Sequence, residues 1–165
     1  MENVYRGHPS PTGQMRDGEL IPVSDAAEAD TVVWFALPPD GEQAIWEGLS
    51  AQSAGQDQVI VRSVPLFAYG LGYGDRVSVI ASAEGPLVAT AIVERGDHYG
   101  FRVWLKNASA SLADIVRTYG NMGCFIEGYS NQLVGLSCPS VLAQQVANAL
   151  ATDERAGRLL YETAR

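Results

Sequence analysis

The sequence is poor in the residues on which most catalytic and metal sites depend. It contains two cysteines, Cys124 and Cys138, and two histidines, His8 and His98, among 165 residues. Two cysteines do not make a disulfide framework in a chain of this size, and so few histidines do not make a typical zinc set. No G-x-S-x-G or H-E-x-x-H motif is present. We therefore predict no metal and no cofactor, and we expect both thiols to be buried and inert.

Long apolar runs and positive charge are also scarce. No run approaches the eighteen or more apolar residues of a membrane span, and the N-terminus has no apolar core behind a basic region. These absences predict a cytoplasmic protein that contacts no membrane. Eleven Lys and Arg residues against 19 Asp and Glu give a net charge of −8, which argues against nucleic-acid binding because phosphates must be neutralised. A protein partner, especially a basic one, or a small-molecule ligand fits this charge better.

Residues 1–30 differ in composition from the rest of the chain. They contain three prolines, several glycines and the acidic segment SDAAEAD. This composition predicts a flexible or extended N-terminal arm. The alternative is an arm that docks on the body or on a partner through Val4, Tyr5, Leu20 and Ile21.

Residues 31–100 contain several short runs of β-branched and aromatic residues separated by turn signals. Val77 and Val79 alternate with polar residues, which places them on one face of a strand. Such a series predicts a small β-rich sub-domain with a bent sheet or partial barrel. The predicted strands are 31–37, ending before Pro38-Pro39, then 42–49, which presents Trp46, and 58–62, 75–80, 87–93 and 99–105.

Residues 101–165 follow the order strand, helix, hairpin, helix, strand. The first helix has Ser109 as its candidate N-cap, and the second starts at Pro139 with Val141 in its apolar stripe. This order predicts a ferredoxin-like βαββαβ sub-domain packed with the first as one globular α+β unit. The arrangement occurs in so many unrelated proteins that it does not indicate a function.

The segment VPLFAYGLGYGDRV, residues 64–77, combines three glycines with three aromatic rings. Its glycines are spaced G-x-G-x-G and a strand follows, so neither a dinucleotide fingerprint nor a helix N-terminus for phosphate is available. Its rings, together with one in the preceding strand, are candidates for a ligand or partner surface. The candidate surface residues are Phe67, Tyr69, Tyr73 and Trp46.

The same segment resembles the pattern of the DUF4265 family, a bacterial domain of unknown function. Members share a motif that begins with proline and a hydrophobic residue and continues as Phe-Ala-x-Gly-x-x-x-Gly-Asp-x-Val. The resemblance covers about residues 31–162 and implies an uncharacterised bacterial cytoplasmic protein, without supplying a reaction or catalytic residues. The chain departs from the pattern in its long polar arm and in Leu66, where a second Phe is usual. Further similar positions are Ile45-Trp46-Glu47, Gly96, His98, Arg102, Gly123-Cys124, Glu127, Pro139 and 157–162.

Three functional hypotheses follow. The leading one is a non-enzymatic binding or interaction protein that presents the rings of residues 64–77. An alternative is a small enzyme in a cleft between the sub-domains, with His98 as acid or base and with Asp75, Arg102 and Glu127 beside it. Against this, an aspartate after a glycine turn more often bonds to nearby backbone amides. The third is an inhibitor or immunity-type protein that neutralises a basic partner.

Overall fold

The computed structural model describes residues 2–106 and 111–164, which form two six-stranded sheets and two α-helices. The α+β class expected from the sequence is confirmed. The helices are α1 (Leu112–Asn121) and α2 (Ala143–Arg155). The strands are β1 (Glu2–Arg6), β2 (Gly13–Arg16), β3 (Glu19–Pro22), β4 (Thr31–Asp40), β5 (Gln43–Ser53), β6 (Gln58–Val61), β7 (Arg76–Ala81), β8 (Leu87–Glu94), β9 (His98–Leu105), β10 (Phe125–Gly128), β11 (Leu133–Pro139) and β12 (Leu159–Thr163).

The first sheet curls into the predicted partial barrel. Its strands follow the order β1-β5-β4-β8-β7-β6, and β6 also pairs with β5, so that five strands form a ring. The ring is weakest between β4 and β8, which pair at only two positions. Val77 and Val79 point into the barrel core, as the alternation predicts. The remaining core side chains include Val33, Leu49, Ala51, Val59, Val61, Ala68 and Leu71.

Strand β4 is longer than predicted. The sequence places its end before Pro38-Pro39, but the strand continues to Asp40, with a register shift between Leu37 and Asp40. Proline cannot donate to a ladder, so a strand tolerates it only at an edge or an irregularity. The prediction was therefore wrong about the boundary, because the two prolines fall within the irregular stretch.

The second sheet is antiparallel and carries both helices on one face. Its strands follow the order β12-β9-β11-β10-β2-β3. Phe101 and Val103 of β9 are buried in the core that both helices share. Because side chains alternate along a strand, Arg102 and Trp104 lie on the opposite face. That face meets the segment between β6 and β7, since a Cβ at Gly135 of β11 would lie 2.9 Å from a methyl carbon of Val64.

The two helices confirm the predicted pattern but not its boundaries. Ser109 lies outside the described residues, and the cap of α1 is Ser111, whose side chain accepts a hydrogen bond from the N–H of Asp114 at 3.1 Å. Val141 was wrongly placed in the apolar stripe of α2. It is 85% exposed in the 3-10 turn Ser140–Leu142 that precedes this helix. No helix in the described part of the chain is long and apolar enough to cross a membrane.

Much of the N-terminal arm is paired into strands. Strand β1 adds to the first sheet parallel to β5, whereas β2 and β3 add to the second sheet beside β10. The ring of Tyr5 packs edge-on against Trp34 with centroids 5.1 Å apart. These pairings are those of an extended arm that docks on the body. Composition suggests poor order here because it does not reveal that the backbone of the arm pairs with the edges of the sheets.

The close approach of two backbone segments makes Gly96 sensitive to substitution. A Cβ at Gly96 would lie 2.7 Å from the carbonyl carbon of Gly74 and 2.8 Å from the carbonyl oxygen of Tyr73. Since backbone atoms cannot swing aside, we expect Gly96→Ala to lower the free energy of unfolding by about 1–3 kcal/mol in urea titration. Gly128→Ala is the control, because no atom lies within 4 Å of its new Cβ. Equal losses in both variants would contradict this account.

Candidate functional site

Buried carboxylates fix the segment that connects β6 to β7. We call residues 62–75 the aromatic loop, and they have no regular secondary structure. Glu47 of β5 accepts hydrogen bonds from three consecutive backbone N–H groups, those of residues 66–68, at 2.7, 3.0 and 2.7 Å. Glu127 of β10 accepts one from the N–H of Val64 at 3.0 Å. Backbone groups that would otherwise be orphaned under the loop are thereby satisfied.

His8 joins these two carboxylates. Its Nε2 lies 2.7 Å from Oε1 of Glu47, and its Nδ1 hydrogen-bonds to Oε2 of Glu127. The hydroxyl of Thr12 donates to the other oxygen of Glu127. The side chain of His8 is 4% exposed and both carboxylates are 0% exposed. We call His8, Glu47 and Glu127 the His8 cluster; it connects the N-terminal arm, both sheets and the aromatic loop.

The His8 cluster carries a proton at neutral pH. Burial lowers the pKa of His8, but the hydrogen bonds and negative charges of Glu127 and Glu47 outweigh it and raise the pKa to about 9. Burial likewise raises the pKa of Glu47, and the contacts to His8 and to backbone N–H groups outweigh it, so the net shift is downward. An imidazolium therefore lies between two buried acidic side chains.

Sequence reasoning missed His8 and assigned no role to Glu47. One signal for Glu47 was present, because it lies between Ile45 and Leu49 on the face of β5 that points inward, and all three are buried. A charged residue at an apolar alternate position needs a buried partner. His8 has no comparable signal, because its partners are 39 and 119 residues away in the sequence.

The aromatic loop forms one wall of an open cleft of about 430 Å³. The floor consists of two cross-strand pairs, Arg102 with Glu162 and Trp104 with Leu160, on the face of the second sheet away from the helices. Of the predicted surface residues, Phe67 and Tyr69 line this cleft. Tyr69 is 64% exposed, whereas Trp104 and Leu160 are each 45% exposed. The cleft therefore combines apolar rings with one charged pair.

Of the four candidate catalytic residues, Arg102 lines this cleft. It is 5% exposed, and its guanidinium carbon lies 4.2 Å from the ring centroid of Tyr69. Its Nη1 donates to Oε1 of Glu162 at 3.1 Å, and its Nη2 donates to the carbonyl oxygen of Ala68. The stacked guanidinium supports Tyr69 from below through a cation–π contact.

Asp75 fixes the other end of the aromatic loop. Its carboxylate is 0% exposed and accepts hydrogen bonds from the N–H of Gly72 at 2.9 Å and of Gly96 at 2.7 Å. The guanidinium of Arg95 lies 3.5 Å from the same carboxylate. These contacts fit the structural interpretation of an aspartate that orders a turn.

His98 lies at the start of β9 in a mainly aromatic environment. Its Nδ1 is 2.9 Å from the hydroxyl oxygen of Ser137, and its ring centroid is 5.0 Å from that of Phe125. Burial lowers the pKa of His98, and the charge of Asp97 opposes this only partly. The imidazole is therefore neutral at pH 7.

The other two predicted surface aromatics lie away from the cleft. Tyr73 is 3% exposed because its ring packs against Phe125 and His98, so its place in the predicted surface is corrected. Trp46 borders a different groove, next to Trp34 on the barrel, and its indole N–H donates to Asn3 of the arm. The positions of Tyr73 and Trp46 in the sequence did not indicate that they lie apart from Phe67 and Tyr69.

The two cysteines are buried, as predicted, and they lie next to each other without forming a disulfide. A hydrogen bond between the thiols, with burial, raises the pKa of Cys124, and the same hydrogen bond lowers the pKa of Cys138. Reactive cysteines are generally at least partly exposed, and both thiols here are buried, so this geometry does not resemble a nucleophile site. Across the described ranges 2–106 and 111–164, no group of three or more His, Cys, Asp or Glu residues has an arrangement that would hold a metal ion.

The profile of one family, described as a domain of unknown function (DUF4265), matches residues 47–161. The chain belongs to the DUF4265 family. A solved structure titled "Novel crystal structure of a hypothetical protein from Neisseria gonorrhoeae" is similar, with a TM-score of 0.69, 16% sequence identity, and coverage of 81% of this chain and 93% of that one. At this identity the similarity concerns the fold. No curated protein matches the chain.

The pKa values of the two histidines of this DUF4265 protein should be shifted in opposite directions from that of a free imidazole. We expect the imidazole of His8 to titrate with a pKa near 9 because of its two carboxylate partners. His98 should titrate below its ordinary value because it is buried without such partners. NMR of the imidazole signals between pH 5 and 10 measures both, and His98→Gln assigns them. A His8 pKa at or below 6.5 would contradict the charge state proposed for the cluster.

The His8 cluster also predicts how stability depends on pH. The folded pKa of His8 is raised from 6.5 to about 9, so its stabilisation is complete below pH 6.5 and is lost as the pH rises through 9. The loss is about 3 kcal/mol in the free energy of unfolding, measured in urea at pH 6.5 and pH 9.5. His8→Gln should remove this difference, and His98→Gln should retain it. An unchanged pH dependence in His8→Gln would assign the effect to another group.

Proposed function

We propose that this protein is a non-enzymatic binding protein and that the cleft beside the aromatic loop takes an apolar or aromatic ligand. The observation that carries this proposal is the support beneath the exposed rings. Tyr69 follows Ala68, whose N–H donates at 2.7 Å to the fully buried carboxylate of Glu47. A binding surface whose backbone is already ordered loses less conformational entropy when a ligand arrives.

The size and chemistry of the cleft support the same proposal. Its volume of about 430 Å³ falls in the range of about 300–1,000 Å³ found for small-molecule sites. Such sites combine apolar walls with a few polar groups that orient the ligand. Here Trp104 and Leu160 supply apolar surface, and Arg102 and Glu162 supply the polar groups.

The alternative of a small enzyme has less support. His98 hydrogen-bonds to Ser137, and Glu127 belongs to the buried His8 cluster. Asp75 accepts from the backbone amides that order its turn. Of the four candidate residues, Arg102 reaches the cleft beside the aromatic loop. Acid–base chemistry needs groups within hydrogen-bond reach of one substrate, and these contacts favour separate roles.

We also propose that residues 101–165 form a ferredoxin-like sub-domain beside a β-rich sub-domain of residues 31–100. The support is the strand order β12-β9-β11-β10 with antiparallel pairing throughout. Helix α1 connects the first two of these strands in sequence and α2 the last two, which is the βαββαβ order. In this arrangement the cleft lies on the open face of the ferredoxin-like sheet.

The neutral probe 1-naphthaleneacetamide tests the proposed function. We expect it to shift the indole N–H signal of Trp104 in a 1H–15N NMR titration, with saturation at millimolar concentration. The chain has three tryptophans, and Trp34 and Trp46 line a different groove. Their signals therefore provide internal controls, and Trp104→Phe assigns the signal from the cleft.

A pair of matched variants locates the probe. Leu160→Glu places a charge on the cleft floor and should weaken binding at least about tenfold, the equivalent of about 1.4 kcal/mol. Ile80→Glu makes the same change at a residue that is 58% exposed on β7 and should leave binding unchanged. The proposal fails if Trp104 does not respond, or if the two variants weaken binding equally.

A further inference from the structure

The guanidinium of Arg102, a residue that lines the cleft, has an unused hydrogen-bond donor. It forms hydrogen bonds to Glu162 and to the carbonyl oxygen of Ala68, but its Nε has no hydrogen-bond partner among the described residues. Arginine carries five N–H donors in a rigid fork and no acceptor. A guanidinium that is 5% exposed gains from any further oxygen acceptor, because its unsatisfied donors are costly when buried.

Glu162 is the weakly held partner in this ion pair. Its side chain is 52% exposed, against 6% for that of Arg102. Besides Arg102, the hydroxyl of Tyr69 donates to its two oxygens at 3.0 and 3.1 Å. A half-exposed carboxylate gains little from an ion pair, and water can solvate it when it turns outward. Glu162 can therefore be exchanged for another acceptor at low cost, and the exchange offers the donors of Arg102 and Tyr69 to that acceptor together.

The charges around the cleft favour an anion once Glu162 has moved. Among the lining residues, Arg102 and Glu162 are the charged pair. With Glu162 displaced, the guanidinium of Arg102 is left as the uncompensated charge in the lining of the cleft. Arginine recognises carboxylates through paired hydrogen bonds.

We infer that the ligand of the cleft carries a carboxylate that takes the place of Glu162 on Arg102 and Tyr69. Its apolar body then packs on Trp104 and Leu160. This inference rests on the proposed function, since it names the chemical class of the ligand that the cleft binds. In the free protein, Glu162 occupies the carboxylate position and keeps the guanidinium of Arg102 neutralised.

Two probes of the same shape test the inference, 1-naphthaleneacetate and its neutral amide. We expect wild type to bind the acetate more tightly than the amide, as measured by the Trp104 indole signal. Glu162→Gln removes the competing carboxylate and should raise this acetate-to-amide ratio about tenfold. The control is Glu94→Gln, which makes the same change in net charge at an exposed glutamate 3.7 Å from Arg76, outside the cleft. Its ratio should equal that of wild type.

The outcomes separate the inference from the proposed function. If the amide binds at Trp104 but Glu162→Gln and Glu94→Gln give the same ratio, the carboxylate inference is overturned and the binding function stands. If the amide does not bind in wild type, both are overturned. Adding Arg102→Met to Glu162→Gln should lower the ratio to about one, below the wild-type ratio. A high ratio in a folded double variant would show that Arg102 does not bind the carboxylate, and would also overturn the inference.

Discussion

An imidazolium between two buried carboxylates is the interaction on which the rest of this structure depends. His8 reaches Glu47 in the barrel and Glu127 in the second sheet, and all three side chains are nearly or fully buried. Burying one such carboxylate alone is costly. Here Glu47 also accepts three backbone N–H groups of the aromatic loop and Glu127 accepts one. The free-energy cost of desolvating the two carboxylates is thereby offset by hydrogen bonds that also determine the course of the aromatic loop.

The same interaction explains why a polar arm is well ordered. The arm has few apolar side chains to bury, but its strands pair with the edges of both sheets. Between those strands, His8 supplies the positive charge that two acidic side chains in the core require. Removing one partner of a buried ion pair typically costs about 3–5 kcal/mol, because a charge is left uncompensated. The arm is therefore an integral part of the fold.

Periodicity predicted the local elements and could not predict this contact. The alternation of Val77 with Val79 identified a strand whose buried face the structure confirms. The predicted boundaries were wrong at the prolines of β4 and at Val141. The prolines lie where the strand pairing becomes irregular, and Val141 lies in the turn before α2 begins. His8 was missed for a different reason. Its role depends on residues far apart in sequence, and the composition of the arm gives no indication of them.

The carboxylates of this protein fall into two kinds, which differ in burial and in how many groups they bind. Glu47 and Glu127 are fully buried, and each accepts hydrogen bonds from several groups, so neither is free to exchange partners. Glu162 is half exposed and bound to a guanidinium that is nearly buried. Only in the second case can another anion replace the side chain without leaving a charge stranded in the core. The buried cluster thus fixes the aromatic loop, and the exchangeable pair beside it is the place where we propose that a ligand is recognised.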